Sequence, residues 1–78
     1  MVTQRLVARA LSISLESVTK DVSLFTTEAW DSLGHLRIIL EIEEAIGTEL
    51  TGEQVSTIDG VRDISKLLAS WGREKDWQ

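Results

Sequence analysis

At 78 residues the chain is the size of one small domain, which buries only roughly 60% of the surface its unfolded form exposes and has little room for both a core and an enclosed active site. It has no cysteine and one histidine, so disulfides, thiolate metal sites and histidine clusters are excluded, while 42% hydrophobic and 27% charged residues give a globular rather than a disordered balance. The net charge of -5 lies wholly between residues 31 and 53, where Asp31, Glu41, Glu43, Glu44, Glu49 and Glu53 face Arg37 alone, which disfavours nucleic acid and reads either as a match for a basic protein surface or as a solvated helix face that keeps the protein soluble.

Val2, Leu6, Val7, Ala10 and Leu11 recur at three- and four-residue steps, with Gln4, Arg5 and Arg9 between them, and predict an amphipathic first helix. Residues 14 to 30 lose that periodicity and are rich in Ser and Thr. Their apolar members, Leu15, Val18, Val22, Leu24 and Phe25, predict a long loop held down by its own side chains. From Ser32 to Ile46 the pattern is helical again and stops at Gly47. Ile39, Ile42 and Ile46 share one face, Leu33, Leu36 and Leu40 form a neighbouring stripe, and Arg37, Glu41 and Glu44 fall opposite. Thr51 followed by Gln54 fits a capping box and predicts a short helix from Gly52 to Ser56. A last helix is expected to start near Thr57, bury Ile58, Val61, Ile64, Leu67, Leu68 and Trp71, and stop at Gly72, with Arg73 to Gln78 as a frayed tail.

Without proline, repeats or strand alternation, residues 1–78 read as a single all-α domain. Three main helices and a short one between the second and last form a four-helix bundle, with the long loop joining the first two. Uncharged runs such as Val22 to Thr27 are far too short to span a bilayer, and the N-terminus lacks a signal peptide's apolar stretch. A cytoplasmic monomer without membrane association is the expectation. An initial Met1 and an ordinary first helix favour a freestanding protein over a domain cut from a larger synthase.

Asp31-Ser32-Leu33 stands where the loop becomes the central helix. A serine there has an exposed hydroxyl close to unpaired backbone N–H groups at the positive end of the helix dipole, where an attached phosphate is favoured. The plainer reading is that Asp31 or Ser32 caps the helix, and the two are compatible if Asp31 caps and Ser32 is modified. Ser32, His35 and Asp31 do not make a hydrolase, because a small bundle offers no oriented base, oxyanion hole or water-excluding pocket. His35 is expected half-buried beside the core face, between Ile42 and Ile46. Glu43 and Glu44 point about 100° apart on a helix and cannot act as an acid/base couple. The stripe Leu33, Leu36, Leu40 reads either as core or, since a small bundle cannot bury every face of its central helix, as a partner contact.

Taken together, the chain resembles an acyl carrier protein from Val2 to about Trp71. The likeness rests on Asp31-Ser32-Leu33 opening a long acidic helix, Glu43-Glu44-Ala45-Ile46-Gly47 closing it, Thr57-Ile58 before the last helix, and the loop segment Val18 to Phe25. What the resemblance implies is a non-catalytic carrier. Ser32, with Asp31 as its motif neighbour, would receive 4′-phosphopantetheine from coenzyme A through a phosphopantetheinyl transferase. The arm's thiol would then hold an acyl or aminoacyl group as a thioester for a loading enzyme and a downstream acyltransferase or synthase; the alternative is an unmodified adaptor docking on a basic partner. The resemblance also implies docking through Leu33, Leu36, Arg37, Leu40, Glu41, Glu43 and Glu44, and an acyl cavity dependent on packing among Ile39, Ile42, Ile46 and Ile58. Gly34 and Arg37 depart from the fatty-acid type, which usually has acids there, as does Trp30, where a small residue is common. The run Trp30 to Leu36 looks more like freestanding bacterial carriers of specialised pathways, such as antibiotic, polysaccharide-decorating or aminoacyl-transfer clusters.

Overall fold

The computed structural model describes residues 2–73. Four α-helices follow in order, α1 (Val2–Leu11), α2 (Ser32–Ile46), α3 (Gly52–Ser56) and α4 (Val61–Ser70), and a single 3-10 turn (Leu15–Ser17) interrupts the long loop. The molecule is all-α, as the periodicity predicts; among the described residues the only extended pairing is one antiparallel bridge between Ser23 and Gly60. Helix α2 packs chiefly on α1 and also on α4, and α1 touches α4.

Helix α1 buries Leu6, Val7, Ala10 and Leu11 as expected, but Thr3 takes the inner position at its start and Val2 is exposed. Its end is a Schellman motif: Ser12 N–H donates to Arg9 O, Ile13 N–H donates to Ala8 O, and Ser12 has φ 56°. Serine carries this left-handed turn where glycine is usual, so the end of α1 is marked in the sequence by the loss of apolar spacing alone. Gly47 (φ 78°) and Gly72 (φ 72°) end α2 and α4 in the same backbone region, as their residue type suggests.

On α2, Ile39, Ile42 and Ile46 are buried as predicted, and Ile38 joins them fully buried. The helix packs on both α1 and α4, so its buried arc is wider than one stripe. The leucine stripe is outside: Leu33, Leu36 and Leu40 are 55%, 53% and 56% exposed. Thr51 and Gln54 form the expected capping box, each side chain accepting from the other's backbone N–H, and α3 follows from Gly52.

The last helix begins later than predicted. Thr57 closes α3, its hydroxyl donating to Gln54 O, and Gly60 is extended at φ -157° and ψ 168°. Leu24 N–H donates to Asp59 O and Val61 N–H donates to Val22 O, so this stretch is occupied by the long loop before it can join a helix. Ile58 is buried, though from the linker rather than the helix. Trp71 corrects the expected buried face. It sits beyond the last full turn, and its side chain is 43% exposed.

The loop's anchoring also differs from expectation. Val18 is buried and Val22 partly so, but Leu15, Leu24 and Phe25 are exposed, Phe25 at 78%. The loop is held by polar turns instead: Ser23 N–H donates to Thr26 Oγ1, and Phe25 N–H to Ser23 Oγ. Its C-terminal end is fixed by Trp30, only 3% exposed. At the other terminus Arg73 is tied down rather than frayed, its N–H donating to Leu68 O and its Nε to Ala45 O at 3.0 Å. The rest of the predicted tail, residues 74–78, lies outside the described residues.

Candidate functional site

The site is built at the junction of loop and α2. Asp31 is extended (φ -92°, ψ -167°), and its Oδ1 accepts the Gly34 N–H at 2.8 Å, while its carbonyl accepts the first helical bond from His35 N–H. One of the orphan donors at the helix start is thereby satisfied by the aspartate. The cap is Asp31, and Ser32 is not needed for it: Ser32 is exposed, and its hydroxyl has no hydrogen-bond partner among the described residues. A free primary hydroxyl at the first helical position can take a phosphate ester, and the helix dipole favours the negative charge such an ester brings.

Gly34 explains why no acid occupies that position. A Cβ there would lie 2.5 Å from Ala29 O and 2.8 Å from Leu11 Cδ2, so α2 passes too close to the loop and α1 for any side chain. That close approach also brings Trp30 against His35. The buried indole donates from Nε1 to His35 Nδ1 at 3.0 Å, with the ring planes 29° apart and the centroids 6.3 Å apart. His35 is half-buried, as its position on the helix suggests. Leu24, Trp30, Asp31, Ser32 and His35 line an open cleft of about 340 Å³.

The other residues singled out on α2 fall into two groups. Leu33, Leu36, Arg37, Leu40 and Glu44 are exposed on the side away from the core. Glu41 and Glu43 are engaged within the chain: Glu41 Oε1 accepts from Arg9 Nη2 at 2.7 Å and from Nε at 3.0 Å, and Glu43 Oε2 accepts the Leu50 N–H at 2.9 Å. Neither interaction is visible in the helical pattern of α2, because both partners lie on other segments. The packing contribution of Trp30 is likewise not visible in the helical pattern; a large aromatic at the loop end is the available signal for it.

Elsewhere, Asp59 sits beside Asp63, whose carboxylate accepts the Asp59 N–H at 3.2 Å. Hydrogen bonding to Asp63, then partial burial and the repulsion between the two carboxylates, raise the Asp59 carboxyl above its ordinary range. Among the described residues there is no group of His, Cys, Asp or Glu side chains that could hold a metal ion, and no helix long and apolar enough to cross a membrane.

Residues 3–68 match the family model described as the phosphopantetheine attachment site. Members of that family attach 4′-phosphopantetheine covalently and act as carriers, not catalysts. The match runs from the first turn of α1 to the last turn of α4 and includes the loop whose end presents the free serine hydroxyl. This chain therefore belongs to the phosphopantetheine attachment-site family, as an acyl-carrier-type domain.

Proposed function

We propose that Ser32 carries the 4′-phosphopantetheine arm and that the chain presents an acyl or aminoacyl group, held as a thioester on that arm, to partner enzymes. The observation that carries this reading is the division of labour at the α2 start, where Asp31 caps the helix and leaves the Ser32 hydroxyl exposed and unpaired. In the loading step the Ser32 oxygen forms a bond to the pantetheine-side phosphorus of coenzyme A. The pyrophosphate P–O bond breaks, adenosine 3′,5′-bisphosphate leaves, and the serine proton passes to the transferase. When bound, the group supplies the thiol that this cysteine-free chain lacks.

The chain's own residues supply recognition. Leu33, Leu36 and Leu40 form the apolar docking stripe next to Ser32, with Arg37 and Glu44 as its exposed charges. Glu41 and Glu43 act chiefly by holding α2 to its neighbours. The partners are a phosphopantetheinyl transferase, a loading enzyme, and a downstream acyltransferase or synthase, with a cytoplasmic monomer as the working unit. Arg37 on the docking face reduces complementarity to a basic partner and sets the chain apart from fatty-acid carriers, as expected of a specialised bacterial biosynthetic pathway.

The test is intact mass after incubation with a broad-specificity transferase and coenzyme A. The wild type gains the mass of one phosphopantetheine and Ser32→Ala gains none. An unmodified wild type that remains folded would sink the assignment and favour a carrier-like adaptor that docks without an arm.

A further inference from the structure

The Trp30–His35 pair is more specific than core packing requires. A buried indole N–H needs an acceptor, and the residue that supplies it is the one histidine of the chain. An imidazole nitrogen that accepts this bond carries no proton, so the ring's proton is placed on Nε2. Turning the ring over would put a C–H against the indole and leave a buried donor unpaired. Trp30 thus selects both the tautomer and the orientation of His35.

His35 follows Ser32 by three positions on α2, and residues so spaced are neighbours on a helix surface. Both line the cleft of about 340 Å³, together with Asp31, Trp30 and Leu24. The cleft therefore combines a hydroxyl, one imidazole with a fixed N–H, and two apolar walls. Beyond the indole, the His35 imidazole has no hydrogen-bond partner among the described residues. The remaining polar group is the Asp31 carboxylate, which already accepts from Gly34 N–H and repels a second anion brought beside it. An anionic ester on Ser32 needs a donor on the side away from that carboxylate.

Resting on the assignment of Ser32 as the attachment residue, we infer that His35 is a positioning residue for the arm. Its Nε2–H donates to an oxygen of the phosphodiester on Ser32, and Leu24 and Trp30 receive the branched apolar carbon that follows the phosphate. The arm then leaves the protein from the loop side of α2, in one preferred direction, instead of sweeping freely over the leucine stripe. Trp30 acts through His35, by keeping the donor proton where the phosphate can use it.

The experiment compares apo and fully modified protein by histidine ¹⁵N and phosphodiester ³¹P NMR. With a single histidine, the imidazole spectrum holds one ring only. The apo form shows a protonated Nε2 and an unprotonated, accepting Nδ1. Modification shifts the Nε2–H resonance, and holo His35→Phe loses the ³¹P displacement seen in the holo wild type although its mass gain is complete. His35→Gln, which keeps both an acceptor and a donor, restores part of that displacement, while Trp30→Phe mixes the tautomers and reduces it. Equal ³¹P shifts in holo wild type and holo His35→Phe, or an Nε2–H unmoved by modification, would overturn the inference while leaving Ser32 as the attachment residue. Absence of any mass gain on the wild type overturns the Ser32 assignment and this inference together.

Discussion

Alanine at Gly34 would put a methyl group 2.5 Å from a backbone carbonyl, an atom that cannot swing aside. Despite alanine's better helix propensity, Gly34→Ala is expected to lower the stability by about 1–3 kcal/mol in urea titrations, the usual cost of overpacking. Ser12 presents the opposite case, a side chain where none is wanted. Its left-handed turn at φ 56° is relieved by Ser12→Gly, which should raise stability by up to about 1 kcal/mol in the same measurement. Asp59 gives a pH-dependent signature. Its carboxyl is raised by Asp63, so the ionised form is disfavoured in the folded state and the resulting loss of stability sets in as pH rises above the unfolded value of 3.8. Asp59→Asn should therefore melt at a higher temperature than the wild type at pH 7. Below the unfolded value, where both carboxyl forms are protonated, the advantage should vanish. An equal melting difference at pH 3 and pH 7 would contradict that account.

At the level of elements, helices were legible where their signals are local, and illegible where another segment decides. The bounds of α1, α2 and α3 follow from apolar spacing, Gly47 and the Thr51–Gln54 box, all contained within a few residues of the helix concerned. The start of α4 was not legible, because Asp59 and Val61 give their backbone groups to Leu24 and Val22 of the distant loop. The site divides in the same way. Asp31-Ser32 at a helix start could be read from sequence, whereas the internal engagement of Glu41 and Glu43 could not, since Arg9 and Leu50 bring them their partners. Glu43→Ala leaves the Leu50 N–H without its acceptor and should cost about 1–3 kcal/mol, the range for a group left unpaired on partial burial. Arg9→Ala breaks a pair whose arginine is largely exposed and should cost no more than about 1 kcal/mol. Measuring both by chemical denaturation separates a carboxylate that secures a turn from one that merely finds a surface partner.

Over the whole molecule, one core gathers side chains from α1, α2 and α4 with Val18, Trp30 and Ile58 from the connections between helices. Ile39, Ile42, Ile46 and Ile58 are part of it and at most 7% exposed. Ile38 is fully buried beside them, and Ile38→Ala should lower stability by about 2–5 kcal/mol, with the circular dichroism spectrum of the variant reporting whether the helices survive. The outer side of α2 is different in kind. Three leucines, each more than half exposed, are retained where a solvated helix would carry polar residues. Replacing Leu36 or Leu40 by Ser should leave thermal stability nearly unchanged and slow modification by the transferase, a split that a core residue could not produce.

The bridge between Ser23 and Gly60 ties the middle of the longest loop to the segment that leads into α4. In hydrogen exchange, loop amides are ordinarily the first to go, opening in local fluctuations that leave the rest of the fold intact. Here the amides of Leu24 and Val61 are bonded across the chain on either side of the bridge, so neither can open without releasing its distant partner segment. They should therefore exchange on the slow timescale of the helical core, marking the loop and the entrance to α4 as one cooperative unit.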